Sequence, residues 1–216
     1  MPVQAVRRMD KIMNVLVAFE QSGAVRQAFR LQGHNAWSCD ILPARDGSKF
    51  HIQCDVREIL YHPDWDMMIA FPPCTYDAVS GARWFKDPDR QIKQKKSIML
   101  FRQLLSVPIP KKCIEHPVSI ISTAIRKPDQ IIQPWQFGTG EVKQICLWLD
   151  NLPLLKPTEI VDGRDKRIWN TPPSPDRQFL RSSWSYYPGI CHAMANQWGN
   201  STLDSQGVNG VVKKEE

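Results

Sequence analysis

A cysteine follows two prolines in Phe71-Pro72-Pro73-Cys74-Thr75, directly after the apolar run at residues 65–71. Proline lacks the amide donor that a central strand needs, so the pair ends the strand that this run predicts and stiffens the loop bearing the thiol. A thiol in that setting suits nucleophilic chemistry, because the small thiolate fraction present near neutral pH is already reactive. The competing use is packing, since cysteine also serves as a small buried hydrophobe. Comparable strand-end positions are held by Gly23, Asp40, Asp55 and Glu115, the last within Ile114-Glu115-His116-Pro117. A carboxylate there accepts strongly from paired ligand donors. The commoner fate of aspartate at such a point is a solvated turn or a helix cap.

The elements that would position these groups read as alternating strands and helices. Residues 13–19 (MNVLVAF) form a β-branched apolar run, and Glu20-Gln21-Ser22-Gly23 then turns the chain into a helix over 24–32. Val25, Ala28, Phe29 and Leu31 give that helix its periodicity, and Gly33 stops it. Short strands are predicted at 35–39, near 52–55, at 65–71 and at 112–115. An amphipathic helix is predicted over 90–105 from Ile92, Ile98, Leu100, Phe101, Leu104 and Leu105, ended by Pro108 and Pro110. Residues 127–181 are rich in proline and tryptophan and predict loops and short strands. Helical spacing returns at 188–198 through Ile190, Ala193, Met194 and Trp198. The leader at 1–12 lies outside the domain, and the polar tail from 200 onward is expected to be disordered. Strand–helix alternation of this kind implies an α/β fold with a mostly parallel sheet, helices on both faces, and ligands at the carboxyl ends of the strands.

Composition bounds the function classes. The 216 residues suit one generous domain, and 42% hydrophobic with 23% charged content is that of a globular chain. No apolar run approaches the roughly 20 residues needed to span a bilayer. Arg7 and Arg8 precede Asp10-Lys11 rather than an apolar signal core, so a cytoplasmic location is expected. Six cysteines stand at least 15 positions apart without metal-ligand spacing, which argues against a zinc site and a disulfide scaffold. The net charge of +6 favours a polyanionic partner, because basic groups displace counterions from nucleic acid.

Taken in order, Gly23, Asp40, Asp55, Cys74 and Glu115 resemble the motif set of the DNA cytosine-5 methyltransferase family, over residues 13–199. The resemblance implies a Rossmann-like class I S-adenosylmethionine-dependent methyltransferase fold. It implies that Phe19, Glu20, Ser22 and Gly23 cradle S-adenosyl-L-methionine, although Gly23 alone of the usual glycines is present. By the same likeness Asp40, with Ile41 beside it, corresponds to the acid on the cofactor ribose, Asp55 to the acceptor for the adenine amino group, and Pro72 lines the same site. Cys74 corresponds to the nucleophile that attacks carbon 6 of cytosine. Glu115 corresponds to the glutamate that holds ring nitrogen 3 and the amino group of a flipped base. Pro73, Thr75, Ser80 and Arg83 would face the DNA, with Trp84 and Trp135 as further contacts, although large aromatics more often belong to a core. Arg164 and Arg167 are similar to the family's basic motif, with a solvated basic turn as the alternative. The last helix is similar to the closing motif of the cofactor pocket. The strings FEQSG, FPPCT, SGARWF, QPWQFG and AMANQWG resemble a compact phage-associated branch.

The chain departs from that pattern in three places. Only about 20 residues separate Arg167 from the closing helix, too few for a full target-recognition domain, so selectivity would be short-range or supplied by a protein partner. His116 stands where asparagine is usual, and Asp77 where the branch has an apolar residue. A carboxylate at 77 would disfavour the thiolate if it faced the sulfur, and repel phosphate if it faced the groove. A second reading follows from these departures: a catalytically silent chain that keeps the fold and binds DNA or another protein.

Overall fold

Short apolar segments bounded by glycine, proline and acidic residues pair into one seven-stranded sheet. The strands are β1 (Asn14–Ala18), β2 (Asn35–Asp40), β3 (His51–Gln53), β4 (Met67–Ala70), β5 (Lys111–His116), β6 (Gln130–Ile132) and β7 (Ile145–Asp150), in the order β3-β2-β1-β4-β5-β7-β6. The run from β3 to β5 is parallel throughout, and β7 lies antiparallel to both β5 and β6. The computed structural model describes residues 11–172, 174–175 and 184–200, so the leader and tail expectations lie outside the described residues. Among these, no helix is long and apolar enough to cross a membrane.

Among the described residues the helices are α1 (Ala24–Leu31), α2 (Pro88–Ser106), α3 (Ile121–Ala124), α4 (Arg167–Asn170) and α5 (Pro188–Gly199). Side chains alternate across each strand, so every central strand serves two cores. Val15, Val17, Met67, Ile69 and Cys113 face Val25 and Phe29 of α1 and Ile190, Met194 and Trp198 of α5. Leu16, Ala18, Met68, Ala70 and Ile114 face Phe101 and Leu104 of α2 and Ile121 of α3. Burial on both faces is why these strands read as continuous apolar runs rather than alternating ones. The architecture is a Rossmann-like α/β fold, a mostly parallel sheet covered on both sides.

One boundary differs from expectation, and one strand is placed that the sequence left without bounds. Helix α2 begins at Pro88, ahead of the apolar periodicity, because the Asp87 side chain accepts from the Arg90 amide at 3.1 Å and proline suits the first helical position. In the proline-rich stretch, Ile145–Asp150 is a six-residue strand with Trp148 fully buried. Its antiparallel seat between β5 and β6 is a tertiary fact that no local pattern carries. Strand order reverses between β1, which leads outward to β2 and β3, and β4, which leads to β5. The crevice at the carboxyl ends of β1 and β4 is therefore where an open sheet of this kind binds ligands.

Candidate active site at the carboxyl edge of the sheet

The turn after β1 is built by backbone geometry that few sequences tolerate. Phe19 has φ 59° and Gly23 φ 73°, both left-handed, and a non-glycine residue there carries strain of a kind that clusters at functional sites. A side chain at 23 would be strained by that φ, and its Cβ would lie 2.8 Å from both Arg26 Cζ and an Asp46 carboxylate oxygen, so the Arg26–Asp46 pair would have to shift. Glu20 is buried, and its carboxylate accepts from the Val25 amide at 2.8 Å, the Arg26 amide at 3.2 Å and the Ser22 hydroxyl at 3.1 Å. It thus closes the first turn of α1, which Gly23 enters without a capping side chain.

Burial pushes the Glu20 carboxyl from 4.5 up to about 7, against the opposing pull of those amides, the Ser22 hydroxyl and the Arg26 charge. The folded state therefore holds this proton more tightly than the unfolded chain. The associated stability is complete below about 4.5 and is lost as the pH rises through about 7, an expected decline of about 3 kcal/mol at 1.36 kcal/mol per pH unit. Urea unfolding of wild type and Glu20→Gln across that range is the measurement, and the variant should lack the decline. Parallel curves would show that Glu20 stays ionised.

The two aspartates differ in availability. Asp40 ends β2 half-buried; its Oδ1 accepts from the Leu42 amide at 2.9 Å, and Oδ2 carries no hydrogen bond among the described residues. Its neighbour Ile41 is 68% exposed, an apolar side chain left uncovered beside an acceptor. Asp55 instead caps the Val56–Glu58 turn. Its Oδ1 accepts from the Arg57 amide at 3.0 Å and from Nε at 2.9 Å, and Oδ2 from Arg57 Nη2. These bonds, the side-chain one foremost, hold its carboxyl down at about 2. The cap alternative weighed for a strand-end aspartate is what position 55 displays.

Cys74 and Glu115 leave the ends of the adjacent parallel strands β4 and β5. Pro72 is buried, Pro73 and Thr75 are exposed, and Cys74 is half-buried, so residue 74 is not sealed in the interior. Strand alternation places Glu115 on the same face as Cys113, toward α1 and α5, and His116 on the face of Ile114, toward α2. Burial raises the Glu115 carboxyl above its ordinary value, opposed by the charges of Lys143 and His116. Burial thus favours the protonated form, the one able to share a proton with a ring nitrogen.

Four residues around Glu115 were not singled out by their sequence. Lys143 places its Nζ 5.6 Å from the centre of the Trp184 ring and 5.1 Å from that of Tyr187. Phe71, at the exit of β4, packs on Trp184 with ring centroids 4.5 Å apart. The Tyr187 hydroxyl donates to Glu141 Oε2 at 3.0 Å, and Arg167 pairs with Glu141 Oε1. Lys143 and Glu141 come from the loop before β7, and the aromatics from just before α5. Their one sequence signal was aromatic clustering ahead of the last helix.

The remaining expected DNA contacts divide into two groups. Ser80, Arg83 and Trp84 are exposed on the Val79–Trp84 turn, with Arg83 stacked 5.3 Å from the Trp84 ring centre. Arg164 lies 4.0 Å over the half-buried Trp135 ring while donating to the Val161 and Gly163 carbonyls, so both serve their own turn. Arg167 is held by Glu141.

Asp77 does not face the groove, one of the two orientations considered from sequence. Its side chain is fully buried, where a carboxylate requires partners, and Oδ1 accepts from His116 Nε2 at 2.9 Å while Oδ2 accepts from the Ser97 hydroxyl. The two departures from the family pattern are thus bonded to each other.

A cavity of about 290 Å³ lined by Arg26, Arg30, Asp46 and Phe50 lies beside α1, away from Cys74. Both of its guanidinium groups are already engaged, Arg26 by Ser38 and Asp46, and Arg30 by the Ala36 carbonyl and the Phe50 ring. The crevice remains the candidate site.

No protein-family model matches the chain, and no curated protein does. Among solved structures it is similar to the Entamoeba histolytica methyltransferase EhMeth, at 17% identity over 70% of this chain and 58% of that chain, with a TM-score of 0.46. The chain therefore spans less than two thirds of that protein's length, and the fold assignment rests on the strand order itself.

Proposed function

We propose that the protein is an S-adenosyl-L-methionine-dependent methyltransferase acting on carbon 5 of cytosine in DNA, through a covalent bond between Cys74 and carbon 6. The observation that carries the reading is that a half-buried cysteine and a buried carboxyl, whose proton affinity burial raises, sit at the ends of neighbouring strands β4 and β5. Cys74 in thiolate form gives an electron pair to carbon 6 of the ring. Glu115, protonated, donates to ring nitrogen 3 and draws charge from the ring as the bond forms, leaving carbon 5 electron-rich. Release of the carbon 5 proton to solvent water re-forms the ring double bond and expels the Cys74 thiolate, and ring nitrogen 3 returns its proton to Glu115.

The residues at the β1–β2 edge fit the cofactor, which supplies an electrophilic methyl group when bound. Asp40 has an acceptor oxygen to offer a ribose, and exposed Ile41 offers an apolar face to an adenine ring. Asp55 joins them only by giving up its pairing with Arg57. Accordingly Asp40→Ala should weaken cofactor binding by about 1.5–3 kcal/mol, the loss of a hydrogen bond to a charged group, as read by calorimetry. Unchanged affinity removes Asp40 from the site.

DNA is favoured as the polyanion by the +6 charge and by the exposed Arg83–Trp84 pair near the thiol's loop. The direct test is incubation with methyl-labelled cofactor and cytosine-containing DNA, with mass spectrometry of the bases. Label on carbon 5 supports the reading, and its absence overturns it. A 5-fluorocytosine duplex separates this enzyme from a silent binding protein, because a stable adduct needs a working Cys74.

A further inference from the structure

The turn that begins at Cys74 is tied to the end of β5 by more than one bond. The amides of Asp77 and Ala78 donate to the Cys74 carbonyl at 3.4 and 3.1 Å, which folds residues 74–78 into a single turn. That turn is zipped onto the chain just beyond β5. Val79 N donates to the Val118 carbonyl at 3.1 Å, Ile120 N to the Asp77 carbonyl at 3.1 Å, and Ala78 bridges Ser119. From the other side α2 holds it, Arg90 donating to the Thr75 carbonyl at 2.6 Å and Gln94 to the Tyr76 carbonyl at 3.0 Å.

At the centre of these ties lies the Asp77–His116 bond, with side chains 0% and 1% exposed. A buried polar pair costs more desolvation than two apolar side chains of the same volume, so packing alone gives no reason for it. Its geometry does give one. His116 directly follows Glu115, and its ring is wedged edge-on against Phe101 with centroids 5.6 Å apart. Phe101 is in turn backed by Trp148 at 5.0 Å. His116 Nδ1 is buried without a partner among the described residues, so Asp77 sets the ring's orientation. Because alternation sends Glu115 and His116 to opposite faces of β5, fixing the imidazole on the α2 side fixes the backbone that aims the carboxyl on the other.

We propose that Asp77 and His116 are a positioning pair. Their buried bond locks the Cys74 turn to the end of β5, so that thiol and Glu115 carboxyl approach one pyrimidine from fixed directions. The inference rests on the proposed role of Cys74.

The experiment compares His116→Asn, whose amide is too short to reach Asp77, with His116→Gln, whose amide nitrogen replaces Nε2. His116→Asn should lower kcat at least tenfold with KM for DNA and cofactor within twofold. His116→Gln should recover most of that loss. Asp77→Asn, which keeps the volume and removes the charge, should lower kcat at least threefold and serves if His116→Asn does not fold. A folded His116→Asn, or in its place Asp77→Asn, with wild-type kcat overturns the proposal, whatever happens to its Tm. Iodoacetamide labelling of Cys74, mapped by peptide mass spectrometry, reads the same turn without methyl transfer. Its rate should change at least threefold in His116→Asn and return in His116→Gln. If labelling responds in that way but wild type forms no adduct with 5-fluorocytosine DNA, the pair holds the turn and the catalytic reading of Cys74 falls. If neither labelling nor kcat responds, the positioning role falls and the catalytic reading stands on the wild-type adduct alone.

Discussion

Cys74→Ser is expected to reduce methyl transfer by at least about 10³-fold while leaving cofactor affinity within twofold. The size follows from what is removed: losing an enzyme's nucleophile costs on the order of 10³-fold to 10⁶-fold in kcat, and a serine hydroxyl is far less ionised than a thiol near neutral pH. The selectivity follows from the structure, because Cys74 leaves β4 while the residues suited to the cofactor leave β1 and β2. Steady-state kinetics with labelled cofactor, together with calorimetric titration of the cofactor alone, give both numbers. A parallel loss of cofactor binding would make Cys74 a structural residue and end the covalent account.

Glu115→Gln is the second large effect, an expected fall in kcat of about 10²–10⁴-fold, the usual contribution of a positioned general acid. Glutamine keeps the shape and a donor but cannot yield a proton to the ring. Because burial already favours the neutral form of Glu115, the uncharged amide should be accommodated and the fold retained at pH 7. Catalysis and stability are thus expected to part company, and circular dichroism melts beside adduct formation on 5-fluorocytosine DNA measure both. Wild-type adduct rates in this variant would mean that Glu115 does not share a proton with the base.

Much of the scaffold was legible because it is written in local chemistry. Residues 13–19 are an apolar run closed by a turn with glycine, and they become β1 and the entry to α1. Pro72-Pro73 ends β4 because proline cannot continue a ladder, and that is why the thiol emerges at the sheet's rim. The start of α2 had a signal of another kind, a polar Asp-Pro cap rather than periodicity, while β7 is one of the short strands expected within 127–181, where proline-rich surroundings hid its bounds.

The candidate site was legible where one side chain's position follows from its own strand end, as for Cys74, Glu115 and Asp40. It was not legible where a residue's role depends on a distant partner. Arg167 is held by Glu141, and Glu115 feels the charge of Lys143 from the loop before β7.

By itself the sequence determined the strand ends, the turn after β1, the two covered faces and the residue types that could do chemistry there, since all depend on local sterics and apolar patterning. Tertiary structure alone decided which polar groups bond to which. Asp77 and His116 stand 39 positions apart, and each read alone was a defect. Strand order brings them together at 2.9 Å, and the cost of burying an unpaired polar group makes that bond obligatory.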